Sequence, residues 1–124
     1  MIFKNKNLAL NRRELHSSIG VCPQENILFG ALTVIEHFKL FAALRAPKDK
    51  AVSETATNEQ IEKLIEDLDL SDYRNKLAKK LSGGNKRKLQ VGLAFVGDSC
   101  SLVLLDEPTA GLDIAARRRM WDML

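Results

Sequence analysis

The chain has 124 residues, room for one domain at most, and a hydrophobic content of 45%, ordinary for a globular protein. Its formal charge of +3 is too small to argue for nucleic acid as a partner. The longest apolar stretch, "VGLAFVG", falls far short of the roughly 18 residues a membrane span needs, and Met1 is followed by lysines and polar residues rather than an apolar signal.

"IFKNKNLAL" reads as a short strand and turn. "IGVCP" reads as a strand of small and β-branched residues ended by Pro23, which cannot continue a central ladder. "TVIEHFKLFAALR" reads as a helix, with Thr33 and Glu36 as a capping box and a mostly apolar face of Val34, Phe38, Phe41 and Arg45. His37 on this helix is expected to be partly exposed, and His16 to lie in a loop. Pro47 and alternating charges mark 46–54 as a surface connection. Thr57 and Gln60 offer a second capping box, for a helix whose buried face is Ile61, Leu64, Ile65 and Leu68.

Further on, "LSGGNKRKLQ" opens a third helix. Ser82 is a good N-cap, and Leu89, Leu93 and Val96 continue a buried face to Gly97. "SLVLLDE" is continuously apolar, the pattern of a parallel strand buried on both faces, and Pro108 ends it. "IAARRRMWDML" completes the chain as a helix with Ala115, Met120 and Leu124 inward and three arginines mostly outward. Cys22 and Cys100 sit beside apolar residues with no metal-ligand spacing, and read as reduced, buried small hydrophobes. The order is mixed α/β without an internal repeat.

Two stretches carry chemistry. A parallel strand delivers Asp106 and Glu107 at its carboxyl end, where ligands of open α/β sheets bind. Adjacent carboxylates there suit a magnesium-phosphate reaction, one holding Mg²⁺ and the other orienting or deprotonating a water; an acidic pair after a strand is also an ordinary turn or cap. In "LSGG" the glycines let backbone approach an anion, and the exposed N–H groups of a helix start add positive potential. Lys86, Arg87 and Lys88 oppose that helix's dipole, which fits a phosphate or acidic partner nearby, or simply a solvated face.

Spacing joins these signals. "LSGGNKRKLQVGLAFVGDSCSLVLLDEPTAGLD" resembles the signature motif, Walker B strand and D-loop of ATP-binding cassette (ABC) ATPases, in that family's order. Upstream, "IGVCPQENILFGALTVIEH" resembles the Q-loop region. "VCPQ", "SGGNKRKL", "AFVG" and "DEPTAGLD" point to the A subfamily, mostly lipid-handling transporters. The resemblance runs from about Ile19 to Leu124. It implies the α/β fold of a partial P-loop NTPase of the ABC type, parallel strands plus a helical signature subdomain. Its parts would be a Q-loop at 19–29, a helical subdomain at about 33–97 with the signature at 81–85, Walker B at 101–107 and the D-loop at 110–113.

Residue by residue, the resemblance makes Gln24 the Q-loop glutamine, touching Mg²⁺ and the attacking water. Ser82, Gly83, Gly84 and Asn85 become the signature residues that contact the γ-phosphate of ATP. Asp106 becomes the Walker B aspartate serving Mg²⁺, Glu107 the catalytic glutamate, and Asp113 the D-loop aspartate at the seam between two cassettes. Asn85 stands where glutamine is commonest in the wider family, and Ile114 where proline is usual. No G-x-x-x-x-G-K-S/T loop occurs, and neither His16 nor His37 can serve as the switch histidine that should follow Asp113 by a further strand. The chain therefore reads as a segment of a larger nucleotide-binding domain, inactive alone. The partners implied are a second nucleotide-binding domain, transmembrane domains and a lipid substrate, at the cytoplasmic face of a membrane. A non-transporter ABC ATPase acting on DNA or ribosomes, or a non-catalytic partner cassette, are the alternatives.

Overall fold

A computed structural model describes residues 2–3, 6–7, 18–46, 54–97 and 100–123. At the amino end β1 (Ile2–Phe3) pairs antiparallel with β2 (Lys6–Asn7), Ile2 opposite Asn7, two short strands where one strand and a turn were expected; residues 4–5 and 8–10 lie outside the described residues, as does His16. The remaining strands and helices among the described residues are β3 (Ile19–Cys22), α1 (Val34–Arg45), α2 (Glu54–Asp67), two short 3-10 turns (Ser71–Tyr73 and Ala78–Lys80), α3 (Gly83–Phe95), β4 (Leu102–Leu105) and α4 (Ile114–Met123).

The capping box on α1 forms as the sequence predicts. Thr33 Oγ1 accepts from Glu36 N at 3.3 Å, and the Glu36 carboxylate accepts from Thr33 N at 2.7 Å. The box predicted at Thr57 and Gln60 does not form, because α2 already begins at Glu54 and Thr57 lies within it. Gln60 is committed elsewhere: its Oε1 accepts from Gly97 N at 3.1 Å. Arg45 of α1 donates Nη1 to Ala94 O and Val96 O at 3.0 and 2.8 Å. Together these two side chains pair with backbone groups where α3 ends, and Cys100 Sγ also donates to Ala94 O at 3.5 Å. Burial pushes the Arg45 pKa down from its usual value.

α1, α2 and α3 pack around one apolar core. It holds Val34, Phe38, Ile61, Ile65, Leu89 and Leu93, with Leu64 and Phe41 at its edge. His37, expected to be partly exposed, is fully buried. Phe29 N donates to its Nε2 at 3.0 Å, which leaves Nδ1 as the donor to Thr33 O at 2.8 Å, so both ring nitrogens are satisfied inside the fold. The 46–54 connection falls mainly outside the described residues.

β3 and β4 pair in parallel, Ile19 opposite Leu102 and Cys22 opposite Leu105. α3 lies across one face so closely that a Cβ at Gly20 would sit 1.7 Å from Ala94 O. On that face Cys22, Val91, Ala94, Leu112 and Met120 are buried together, with Val103, Leu105 and Ala116 against them. The opposite face is open, with Val21, Leu102 and Leu104 at 50%, 39% and 51% exposure. The strand expected to be buried on both faces is thus covered on one, because α3 covers only that side. Two further expectations shift for reasons of helical phase and position. Ala116, not Ala115, turns inward on α4, whose Met120 is buried as predicted while Leu124 lies outside the described residues. Cys22 is buried but Cys100 only half-buried, and both are free thiols.

Candidate phosphate and water site

The parallel pairing sets the geometry. Because β3 and β4 run the same way in register, the segments leaving their carboxyl ends emerge side by side, and Asp106 N donates to Cys22 O at 3.0 Å. Gln24 follows β3 and Glu107 follows β4. Both are exposed, and Gln24 Nε2 donates to Glu107 Oε2 at 3.4 Å across 83 residues of sequence. Asp106, also exposed, precedes Glu107 in the same bend. Glu107 holds φ at +46°, the left-handed region that a non-glycine residue enters only when its surroundings impose it.

The surroundings here are chiefly Arg87. It was expected beside a phosphate or acidic partner, or else in a solvated basic face, yet it is 8% exposed and turned onto the chain's own backbone. Its Nη1 donates to Pro23 O at 2.8 Å and Gln24 O at 3.5 Å. Its Nε donates to Pro108 O at 3.2 Å, and Nη2 to the carbonyls of Asp106 and Glu107, the latter at 2.6 Å. Gln90, one turn further along α3 and 3% exposed, donates Nε2 to Pro23 O and Glu25 O at 2.7 and 2.6 Å. The other two basic residues behave differently: Lys88 pairs with Asp69 at 3.6 Å, and Lys86 is half-buried. Arg87 escaped the sequence reading, although it shares a helix face with Val91 and Ala94, the i, i+4, i+7 stripe that packs on the strands. Burial pushes the neighbouring Cys22 thiol up, with the Arg87 guanidinium opposing and Asp106 adding to the rise.

At the start of α3, Ser82 is the N-cap, its Oγ accepting from Asn85 N at 3.2 Å. Gly83 is exposed, has no positive φ, and a Cβ there would meet nothing within 4 Å. Gly84 would bring a Cβ to 3.6 Å from Leu112 Cδ2, an ordinary contact. Neither glycine is required by the chain's own packing. Asp113, next to Leu112, is exposed and accepts from Ala116 N through Oδ1 at 2.7 Å, which caps α4. The structure therefore brings Gln24 to Glu107, and Gly84 to the neighbour of Asp113. Among the described residues no hydrogen bond joins the side chains of Ser82 or Asn85 to Gln24 or Glu107.

No group of three or more His, Cys, Asp or Glu side chains among the described residues could hold a metal ion. What is present is a set of exposed hard oxygen donors, Asp106 and Gln24 foremost. Such a set suits Mg²⁺, which takes one or two carboxylates and fills its shell with water and substrate oxygens.

Strands paired in parallel under a helix, with acidic and amide side chains at their carboxyl ends, form an open α/β arrangement whose ligand-binding end is the carboxyl end of the sheet. The solved structure of an ATP-binding subunit of an ABC transporter shares this fold, with a TM-score of 0.79 at 23% identity over 97% of this chain and 48% of that one. The family model for ABC transporters matches residues 1–110, and the chain belongs to that family. It is similar to ATP-binding cassette sub-family A member 2 of Rattus norvegicus, 46% identical over 111 residues, which are 90% of this chain and 4% of that protein. Sub-family A member 13 of Homo sapiens is 41% identical across the whole of this chain and 2% of its own length. The retinal-specific phospholipid-transporting ATPase ABCA4 of Bos taurus is 46% identical over 96% of this chain and 5% of its own. The likeness is thus to the nucleotide-binding domain of sub-family A, and the chain spans a few hundredths of these relatives' length.

Proposed function

We propose that these residues serve in one cassette of a two-cassette sub-family A transporter, which binds and hydrolyses Mg·ATP to move a lipid. The observation that carries the reading is the meeting of Gln24 and Glu107 at the carboxyl ends of two paired parallel strands. The parts divide as 19–29 for the Q-loop, about 33–97 for the helical subdomain with the signature at 81–85, 101–107 for Walker B and 110–113 for the D-loop.

Glu107 accepts a proton from the water that attacks the γ-phosphate, and the Gln24 amide, within reach of the same carboxylate, orients that water and that carboxylate. Asp106, with Gln24, would hold Mg²⁺, which supplies charge neutralisation to the phosphates. In such a site the protein's share of catalysis is mainly positioning and electrostatics.

Ser82, Gly83, Gly84 and Asn85 close over ATP held by the other cassette. What supports this is that a Cβ at Gly83 would meet nothing of the chain within 4 Å, so a group from outside has room to approach the backbone there. The amino end of α3 adds its N–H groups and positive dipole end. Asp113 lies at the seam between cassettes, its neighbour Leu112 already against Gly84. The chain contains no G-x-x-x-x-G-K-S/T cradle, so by itself it hydrolyses no ATP. Lipid as the cargo is supported by the bovine relative, which is named as a phospholipid-transporting ATPase. Transmembrane domains are the partners such a cassette would work with; no helix among the described residues is long and apolar enough to cross a membrane.

The deciding experiment is Glu107→Gln in the complete transporter. The amide keeps the shape but takes up no proton, so turnover falls about 10²-fold or more while ATP binding persists. Hydrolysis at the wild-type rate would place the base elsewhere and overturn the reading.

A further inference from the structure

We propose that Arg87, seconded by Gln90, is a positioning residue that ties the signature end of α3 to the two loops carrying Gln24 and Glu107, so that closure at one ATP site is passed to the other. The inference rests on the function proposed above and adds a device to it.

A guanidinium is a rigid, planar fork of N–H donors with no acceptor. Here the fork is spent on backbone carbonyls of both loops, Pro23 and Gln24 on one side and Asp106, Glu107 and Pro108 on the other. Among the described residues no carboxylate pairs with it. A buried cation without a counter-ion is a costly way to hold a fold together, and an apolar side chain on this face would pack at less expense. Its value lies in what it grips. Glu107 sits in the left-handed region, and the carbonyl of that same residue receives Nη2 at 2.6 Å. Arg87 therefore fixes the backbone conformation from which the Glu107 side chain projects toward Gln24.

The grip also has a direction. Arg87 stands in the second turn of α3, and Ser82 caps the first. A helix moves as a rod over such a distance. Any shift of the signature toward a phosphate drags the guanidinium, and with it the carbonyls behind Gln24 and Glu107. In a two-cassette protein the signature touches one nucleotide while Gln24 and Glu107 of the same chain serve the other. One helix then links two sites. Lysine could not replace the fork, because a single ammonium cannot span both loops.

The test uses the complete transporter with Arg87→Lys introduced in one cassette. Expected is a split: kcat at that cassette's own site falls about 10-fold or more, the scale of a small misplacement of catalytic groups. KM for ATP stays within about 2-fold, because the phosphates are held elsewhere. Nucleotide trapping at the opposite site, which this signature closes, stays at the wild-type level, and whatever melting temperature the lost hydrogen bonds cost is not matched by a change in KM. Gln90→Met gives the same split in smaller measure, and decides the matter if Arg87→Lys does not fold. Arg74→Met, which removes an exposed guanidinium paired with Glu62, leaves kcat alone. Wild-type kcat in Arg87→Lys overturns the proposal. So does a parallel change in kcat, KM and melting temperature, the mark of a purely structural residue. Glu107→Gln separates the two levels: if it blocks turnover and Arg87→Lys does not, only the coupling fails.

Discussion

The two halves of this molecule are finished to different degrees. The helical half, α1, α2 and the outer face of α3, closes on thirteen buried apolar residues and satisfies its own helix ends through Thr33, Gln60 and Arg45. Among the described residues the sheet half has a smaller apolar cluster of five buried residues, one covered face, and another on which Val21, Leu102 and Leu104 are open. Yet Gln24, Asp106 and Glu107, the groups proposed to serve water and Mg²⁺, stand at the sheet's carboxyl end. A self-contained scaffold thus supports a reactive margin through one shared helix, and the margin is the less complete of the two.

The two halves can be parted where they touch. Gly20→Ala puts a methyl 1.7 Å from Ala94 O, a distance no small adjustment absorbs. α3 must lift from β3, and the loss should exceed about 4 kcal/mol, the range reserved for severe core disruption. Circular dichroism should show helical signal retained with the cooperative melt lost. A normal melt would mean that the two halves do not depend on this junction.

Within the helical half, Phe38→Ala removes a fully buried ring that packs against α3. The expected cost is about 3–5 kcal/mol, transfer and cavity together, read as a fall in the denaturant midpoint. A loss under about 1 kcal/mol would contradict a closed core on the helical side. On the open face the same measurement should barely respond. Leu104→Lys places a charge where the side chain is already half exposed, so the 124-residue chain should change by no more than about 0.5 kcal/mol and become more soluble. A large loss would show that this face is packed after all.

What could be read from the sequence follows the same division. The Thr33 box and the Ser82 cap were legible because both partners lie within one turn of helix. The Thr57 box has an equally local pattern, but α2 extends through it and Gln60 finds a tertiary partner in Gly97. Leu102 and Leu104 were read as buried because an apolar run records a strand suited to two covered faces, not how many faces are covered. Arg87 was illegible for another reason. Its partners are backbone carbonyls 19 to 64 residues away, and carbonyls carry no sequence signature. The meeting of Gln24 with Glu107 was expected only through resemblance to a family, since no periodicity links positions 83 residues apart.

The smallest effect tests whether the helical half is locally self-sufficient down to its caps. The Glu36 carboxylate accepts from Thr33 N, and that bond, reinforced by the Thr33 hydroxyl, holds its pKa below the usual 4.5. A carboxyl with a depressed folded pKa stabilises the fold fully above its unfolded value and loses that contribution as pH falls through the folded one. Glu36→Gln keeps an acceptor for Thr33 N but does not titrate. The melting-temperature gap between wild type and Glu36→Gln should therefore be constant above about pH 6 and shrink steadily below the unfolded value. Because Glu36 is fully exposed, water and salt screen the charge, and the gap should narrow further in high salt. A gap that widened on acidification would mean that the carboxylate opposes the helix start rather than securing it, and that the helical half draws its order from elsewhere in the fold.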